Sequence, residues 1–298
     1  MSEFKYCPYC GKELGSGMAF CPYCGKKLPT ASPISASKPV EEKKETVKKP
    51  CTVSGDLLVS VDKSLTKIVV PDGVKVIASG VFRDNEVLRE VVLPEGLIEI
   101  SSAAFSRCIN LAKINLPKSL EIIGDRAFFK CESISSLSLG EKLSKVGKEA
   151  FKECKLLKEA VFTGRLTTLG ESTFSNCESL TNVVIPEGII ALSNGLFEGC
   201  PNLSSISLPN SLVSIPKGAF TSLPITQVSL KGVESIGEDA FKGCKSLTKV
   251  ELGFSSKLKT IGKGAFKDCV SLKSFVFPSA LTYIGDYAFF GSGLTSVS

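Results

Sequence analysis

Four cysteines near the amino terminus have the spacing of a metal site. Cys7 and Cys10 form one CxxC pair, and Cys21 and Cys24 form a second pair ten residues later. Each pair can direct two sulfurs at one ion, and two pairs complete the tetrahedral set of thiolates that structural zinc prefers. The chain contains no histidine, so all four ligands are sulfur. We therefore predict one structural Zn²⁺ with no open position for water or substrate.

The residues around these cysteines favour zinc over two alternatives, a pair of disulfides or a redox-active CxxC. Both halves read CPYCGK, and Gly11 and Gly25 can take the positive φ that turns backbone amides toward the sulfurs. A redox CxxC needs a βαβ context that so short a module cannot supply. A module of this size also needs the metal for its folding energy. Residues 1–28 resemble the zinc-ribbon family, and the resemblance implies the same four ligands.

Residues 29–50 change abruptly to Pro, Ser, Lys and Glu and contain no aromatic residue. Such a segment buries too little apolar surface to offset the entropy of ordering, so we predict a flexible linker. Three glutamates interrupt its lysines, which argues against a polybasic membrane or nucleic-acid signal. The predicted domains are a zinc ribbon at 1–28, the linker at 29–50 and a repeat domain at 51–298.

From residue 51 the chain repeats a motif built around phenylalanine. Ten copies are spaced 23 residues apart, except for one spacing of 21 and one of 25. An aliphatic residue lies five positions before each Phe, and a LxxVxLP stretch that alternates like a β-strand follows it. The repeat phenylalanines are Phe82, Phe105, Phe128, Phe151, Phe174, Phe197, Phe220, Phe241, Phe266 and Phe289.

One copy cannot bury its apolar face alone, but stacked copies bury it between neighbours. Stacking at about 4.8 Å pairs the strands as a parallel sheet and aligns the phenylalanines in a ladder. Loss of Phe82, near the first copy, is expected to cost less stability than loss of Phe151. The pattern IGxxAFxxCxxLxxVxLPxxL resembles the BspA-like class of leucine-rich repeats over residues 65–298. The resemblance implies a β-rich leucine-rich-repeat solenoid, with a parallel sheet on its concave face and short helical turns, and residues 51–64 would cap the first copy.

Seven copies carry a cysteine three residues after the phenylalanine. Because these cysteines recur, disulfide bonds, redox chemistry and metal binding are alternative roles for them. We predict buried free thiols, because cysteine is among the most buried residue types and parallel Cβ vectors on neighbouring copies suit a disulfide poorly. Cys51 has no assigned role. The repeat cysteines are Cys108, Cys131, Cys154, Cys177, Cys200, Cys244 and Cys269.

The composition argues against catalysis and against nucleic-acid binding. Without histidine the chain has no His-based triad, and it has no GxxxxGK[ST] phosphate loop. Residues 1–28 carry four lysines and two glutamates, so zinc with four thiolates makes the ribbon nearly neutral. A phosphate-binding module would be basic. We expect no enzyme activity, and a nucleic-acid-binding zinc-ribbon protein stays an alternative.

Compartment signals favour the cytoplasm. The first ten residues contain no apolar signal-peptide core, and no run of 18 apolar residues occurs. Twelve cysteines, four of them predicted zinc ligands, fit a reducing compartment. Many proteins that resemble the repeat domain are secreted or surface adhesins, so a cell-surface adhesin is the alternative function.

The outward positions of the LxxVxL strands form the predicted binding surface. They are small, polar and of both signs, which suits a protein or peptide ligand more than a polyanion. The residues that we predict to contact a partner are Lys113, Asn115, Ser136, Ser138, Asn182, Ser205 and Ser207.

The last copy is expected to leave apolar side chains and a strand edge uncovered. The alternatives are that this end frays, that another chain pairs with it, or that the sequence is a piece of a longer protein. We predict end-to-end self-association through residues 284–298, because the last copy keeps Ile284, Phe289 and Leu294 in the repeat pattern.

Overall fold

The structure, a computed structural model, describes residues 13, 14, 20, 26 and 50–297. The chain divides into two compact units, Met1–Val47 and Lys48–Ser298. The second unit holds the repeats. The predicted zinc ligands Cys7, Cys10, Cys21 and Cys24 lie outside the described residues.

The repeat unit begins with an antiparallel hairpin of strands β1 (Cys51–Ser54) and β2 (Leu57–Val61). Each following copy contributes a strand from its LxxVxL stretch. These strands are β3 (Lys67–Val69), β5 (Glu90–Val92), β7 (Lys113–Ile114), β9 (Leu137–Leu139), β11 (Glu159–Phe162), β13 (Asn182–Val184), β14 (Ser205–Ser207), β16 (Gln227–Ser229), β18 (Lys249–Glu251), β20 (Ser274–Phe275) and β22 (Ser296–Val297).

A second, shorter strand ends at the aliphatic residue five positions before the phenylalanine in nine of the ten copies, which the repeat pattern had not indicated. Two residues are too few to show alternation, so only the pairing between copies reveals these strands. They are β4 (Val76–Ile77), β6 (Glu99–Ile100), β8 (Ile122–Ile123), β10 (Lys145–Val146), β12 (Thr168–Leu169), β15 (Ser214–Ile215), β17 (Ser235–Ile236), β19 (Thr260–Ile261) and β21 (Tyr283–Ile284).

Both sets of repeat strands stack in parallel, copy upon copy. The short strands form two runs, β1-β2-β4-β6-β8-β10-β12, which begins with the hairpin, and β15-β17-β19-β21, and an isolated bridge pairs Ala191 with Ser214 of β15. The LxxVxL strands form four runs, β3-β5-β7, β9-β11-β13-β14, β16-β18 and β20-β22. We call these four runs together the LxxVxL sheet. The prediction of a leucine-rich-repeat solenoid with a parallel sheet is confirmed.

The phenylalanines form the predicted ladder at the centre of the core. Neighbouring rings from Phe82 to Phe289 lie 4.5–6.1 Å apart between centroids and tilt by no more than 24°. The first nine rings are fully buried, whereas Phe289 is half-buried. The Ile and Leu residues of each copy pack around this ladder, so the core is continuous from copy to copy.

The segment around each phenylalanine consists of successive i to i+3 hydrogen-bonded turns, which take the place of the short helical turns. In the first copy Arg83 N–H donates to the Gly80 carbonyl at 3.0 Å, and Asn85 N–H donates to the Phe82 carbonyl at 3.1 Å. In every copy the residues two before and two after the phenylalanine have positive φ. In the first copy the N–H groups of the phenylalanine and of these two residues donate to carbonyls of the next copy. The Phe82 N–H, for example, donates to the Ala104 carbonyl at 2.8 Å. All such bonds between turns run in one direction.

The seven repeat cysteines are free and buried, as predicted. Each thiol donates to the carbonyl of the phenylalanine in the preceding copy, with Sγ to O distances of 3.0–3.2 Å. Three copies lack this cysteine. Asn85 takes its place in the first copy and is only 2% exposed, Leu223 is buried in the seventh, and Ser292 is half-buried in the last.

The hairpin β1-β2 caps the first copy, as residues 51–64 were predicted to do. Strand β2 pairs in parallel with β4, and Leu58 is fully buried against the core. Cys51 is 8% exposed, and its thiol donates to the Val69 carbonyl at 3.7 Å. Cys51 therefore belongs to the cap, where burial raises the pKa of its thiol.

Candidate functional site

The LxxVxL sheet presents a solvent-accessible face whose side chains come from alternate strand positions. In β13 and β14 the middle residue is turned inward, as the burial of Val183 and Ile206 shows. In β9 the end residues Leu137 and Leu139 are buried, and the middle residue Ser138 is exposed. The residues that alternate with the buried ones therefore point outward. Of the predicted contact residues, Asn182 is half-buried, and the exposed ones are Lys113, Asn115, Ser136, Ser138, Ser205 and Ser207.

Strand register arranges these outward residues in columns across β9-β11-β13-β14. One column runs from Glu159 through Asn182 to Ser205. The next column is Ser138, Val161, Val184 and Ser207. The structure therefore brings Ser138, Asn182, Ser205 and Ser207 onto one continuous sheet surface.

Lys113 and Asn115 belong to a neighbouring part of the face. Lys113 lies in β7, which pairs with β5 and not with β9, so the LxxVxL sheet is interrupted between β7 and β9. Ser136 lies just before β9, on the far side of that interruption. The predicted residues thus occupy two adjoining runs of strands rather than one.

Charge is concentrated toward the two ends of this face. Near the amino-terminal end, Lys67 pairs with Glu90 at 2.6 Å between Nζ and Oε1, and this hydrogen bond lowers the pKa of the Glu90 carboxyl. Near the carboxyl-terminal end, Lys249 pairs with Glu251 at 2.5 Å. Between them, across β9 to β14, Glu159 is the one charged outward residue of those columns. The central part of the face therefore offers mainly hydroxyl, amide and valine side chains.

The buried thiols do not supply a reactive site. Burial raises the pKa of the Cys108 thiol to about 12 and that of the Cys200 thiol to about 11. A thiol is nucleophilic or metal-binding as the thiolate, so these groups are inert near neutral pH. Their hydrogen bonds to phenylalanine carbonyls give them a structural role. Within the part of the chain that the structure describes, no cluster of three or more Cys, Asp or Glu is placed to hold a metal ion.

Sequence reasoning missed a groove beside the insertion in the ninth LxxVxL stretch. The loop after β18 carries Phe254, whose side chain is fully exposed, and a cleft of about 650 Å³ lies between this loop and residues Val276, Pro278 and Ser279. The available signal was the 25-residue spacing between Phe241 and Phe266, but spacing alone does not reveal where an inserted loop points.

The stacked copies, each with an inward-facing Leu, Phe and usually Cys, define a leucine-rich-repeat solenoid. The family model described as the BspA type leucine rich repeat region matches residues 60–181 and 167–296. The chain belongs to this family. A model for the zinc-ribbon domain matches residues 3–28.

Solved structures share the fold of the repeat unit. A leucine-rich repeat protein from Bacteroides ovatus is 24% identical, with a TM-score of 0.51, and the match covers 78% of this chain and 87% of that one. The pneumococcal vaccine antigen PcpA is also 24% identical, with a TM-score of 0.50 over 78% of this chain and 61% of its own. A Treponema pallidum leucine rich repeat protein is 23% identical, with a TM-score of 0.48 over 80% and 92%.

No curated protein matches the chain. Among the described residues, the structure contains no helix with the length and apolar character needed to cross a membrane.

Proposed function

We propose that this protein is a noncatalytic binding scaffold whose LxxVxL sheet recognises a protein or peptide. The observation that carries the proposal is the uninterrupted run β9-β11-β13-β14, with its aligned columns of exposed or half-buried Ser, Asn and Val side chains. Solenoids present extended surfaces of this kind to macromolecular ligands. The contact residues remain Lys113, Asn115, Ser136, Ser138, Asn182, Ser205 and Ser207.

The chemistry of the face supports a protein ligand over a polyanion. A nucleic-acid surface needs clustered Lys and Arg to release counterions from phosphates. Here the central strands offer one carboxylate and several neutral hydrogen-bonding groups. Hydroxyl and amide groups beside Val161 and Val184 match the mixture of polar and apolar contacts found in protein interfaces.

Paired arginine substitutions test the scaffold proposal. Ser136→Arg with Ser205→Arg places bulk and charge on the LxxVxL sheet, whereas Ser102→Arg with Ser222→Arg changes the turns around the phenylalanines. The control positions tolerate long cations, because the equivalent residues of other copies are Lys148 and Arg107. Proteins captured from native lysate by the intact chain should be lost with the first pair and kept with the second. Equal capture by both double variants would refute the proposal.

We infer that residues 1–28 form a zinc ribbon joined by the linker at 29–50 to the repeat domain at 51–298. The four-cysteine spacing and the family-model match to residues 3–28 support this assignment. Cys7, Cys10, Cys21 and Cys24 would supply a closed set of four thiolates, which is suited to a structural Zn²⁺.

A cytoplasmic location fits the proposed scaffold. Eight free thiols are buried in the repeat unit, and the four predicted zinc ligands must also stay reduced. Cell fractionation separates this proposal from the surface-adhesin alternative, which requires the protein on the outer surface of intact cells.

We also propose that residues 284–298 mediate self-association of this chain. Ser298 itself lies outside the described residues. Ile284 is 47% exposed, whereas the equivalent Ile261 is fully buried by the following copy. Among the described residues, the N–H groups of Tyr287, Phe289 and Gly291 have no acceptor, although their equivalents in the preceding copy donate to residues 286, 288 and 290. A second chain that covers this face would bury Ile284 and supply acceptors.

Sedimentation of the intact chain across a range of concentrations tests self-association. Wild-type protein should shift to larger species as concentration rises, and Ile284→Lys should remove the shift because it places a charge on the uncovered face. Ile190→Lys, at a residue 66% exposed elsewhere, is the matched control. A strict monomer at high concentration would contradict this proposal.

A further inference from the structure

Phe254 is an aromatic side chain for which the fold provides no packing. It lies in the turn after β18, where the 25-residue spacing between Phe241 and Phe266 places two additional residues. The same turn in the other copies contains Pro, Gly and polar residues, as in Pro94 to Gly96. The Phe254 ring is as exposed as in an isolated residue. Burial in the core therefore does not explain this aromatic residue.

The loop that carries Phe254 begins with a glycine in a backbone conformation that favours glycine. Gly253 has φ of +79°, a conformation that glycine adopts without the strain of a side chain, and it lies against the Lys231 side chain. The loop borders a groove of about 650 Å³, a volume within the range of ligand-binding clefts. Val276 and Pro278 of the next copy line the groove opposite Phe254. Val276 is 63% exposed, so this wall is also uncovered.

The groove lies where the LxxVxL sheet is interrupted. Strand β18 pairs only with β16, and β20 pairs only with β22, so the two strands beside the groove are not paired with each other. The continuous surface of β9 to β14 ends two copies before β18. The groove is thus a separate recess at one end of the same sheet.

The charged side chains that line the groove carry a net charge of plus one. Its lining includes Lys231, Lys249 and Glu251. Lys249 is occupied by its ion pair with Glu251 at 2.5 Å. Among the described residues, no carboxylate lies within ion-pair distance of Lys231. Lys231 lies close enough to Glu251 to help lower the pKa of that carboxyl, so Lys231 and Lys249 share one carboxylate, and one positive charge remains for an anionic group of a ligand.

We propose that this groove binds a short extended peptide segment in which an apolar side chain and a carboxylate lie two residues apart. The apolar side chain packs between Phe254, Val276 and Pro278, and the carboxylate pairs with Lys231. In an extended strand residues i and i+2 point in the same direction, so one segment supplies both groups when they are two positions apart. A nucleic acid fits poorly, because a single available cation does not match a run of phosphates. This inference rests on the proposed function and specifies one peptide site on the scaffold.

The probe is a display library of random heptapeptides selected on the intact chain, with enriched peptides then measured by fluorescence anisotropy. The expected consensus is a Leu, Ile or Phe residue two positions from Asp or Glu. Phe254→Ser and Lys231→Glu should each weaken binding at least about tenfold, as expected for an anchor residue and its charged neighbour. The matched controls Ile190→Ser and Lys142→Glu also change exposed side chains and should keep wild-type affinity.

The outcomes separate this inference from the scaffold proposal. Selection of no consensus on the wild-type chain, or equal affinity for Phe254→Ser, would overturn the groove assignment. Peptides whose binding depends on Ser205 instead of Phe254 would also overturn it while supporting the LxxVxL face. If the arginine variants at Ser136 and Ser205 do not affect partner capture, the scaffold proposal fails independently of the heptapeptide result.

Discussion

A phenylalanine in the middle of the ladder has a ring stacked on each of its faces. Phe151 lies 5.5 Å from Phe128 and 5.7 Å from Phe174 between centroids, and it is fully buried. Phe151→Ala opens a cavity between two copies that the backbone hydrogen bonds hold apart. We expect it to lower the free energy of unfolding by about 3–5 kcal/mol in urea denaturation.

The sequence predicts a smaller loss of stability at Phe82, but the structure places the less buried phenylalanine at the opposite end of the ladder, at Phe289. Phe82 is fully buried beneath the cap and stacks on Phe105 at 4.5 Å, so the structure removes the reason for expecting a smaller loss there. Phe289 is half-buried and has a stacked ring on one face only. Phe289→Ala should therefore cost less than Phe151→Ala, and equal losses would argue against a continuous ladder.

The buried thiols predict a pH dependence of stability. Burial raises the pKa of the Cys244 thiol to about 12, whereas an unfolded cysteine has a pKa of about 8.5. The native state keeps protons that the unfolded chain releases, so the stabilisation is fully present below about pH 8.5 and is lost as pH rises toward the native value. Each such thiol should lower the free energy of unfolding by about 1.4 kcal/mol per pH unit in this window.

Urea denaturation under reducing conditions at pH 7.5, 9 and 10 measures this effect. Cys154→Ala removes one buried thiol and should reduce the slope by one thiol's share, because burial raises the pKa of Cys154 as well. An unfolding free energy that stays constant from pH 7.5 to pH 10 would show that the thiols titrate normally in the native state.

At the scale of the elements, close approach of the backbone explains the glycine after the short strands. A Cβ on Gly170 would overlap backbone atoms of Gly147 and Lys148 in the preceding copy. Gly170→Ala should therefore separate two copies locally and cost about 1–3 kcal/mol, the range of overpacked cores. In Gly140→Ala the new Cβ would lie 3.5 Å from the Lys118 Cα, an ordinary contact, so this control should be nearly neutral. Equal stability of the two variants in thermal or urea melts would contradict the close packing.

The repeat pattern predicts the parts of each element that depend on side-chain burial. It identifies the phenylalanine ladder, the inward cysteines and the outward residues of strands such as β13, because these follow directly from alternation and stacking. It does not predict the turn geometry. The positive-φ positions hold residues as different as Gly80, Arg126 and Tyr287, so hydrogen bonds between copies, rather than residue type, determine this conformation.

The two candidate sites also differ in how far the sequence predicts them. The outward columns through Asn182 and Ser205 follow from the period-two alternation of the strands. The groove beside Phe254 depends on the direction of an inserted loop, which Gly253 and the unpaired edges of β18 and β20 determine in three dimensions. No local pattern in the sequence encodes that direction.

At the scale of the whole molecule, the zinc ribbon and the repeat domain should respond separately to loss of the metal. Purified chain should contain about one zinc, and Cys10→Ser should release it, because three thiolates leave the tetrahedral site incomplete. The melting of the repeat domain should be unchanged, since its core contains no zinc ligand. Cys51→Ser is the control and should retain zinc. Reduced protein without bound metal, or a repeat domain that melts with the ribbon, would contradict this assignment.

The central claim is that the LxxVxL sheet, and not the turns around the phenylalanines, contacts the partner. A photo-crosslinking amino acid at Ser205 samples the sheet, and the same amino acid at Ser222 samples the turns; both side chains are exposed. After irradiation in native lysate, the Ser205 position should give discrete crosslinked protein products that disappear with Ser136→Arg. The Ser222 position should give none of these products. Identical products from both positions, or products from Ser222 alone, would contradict the account.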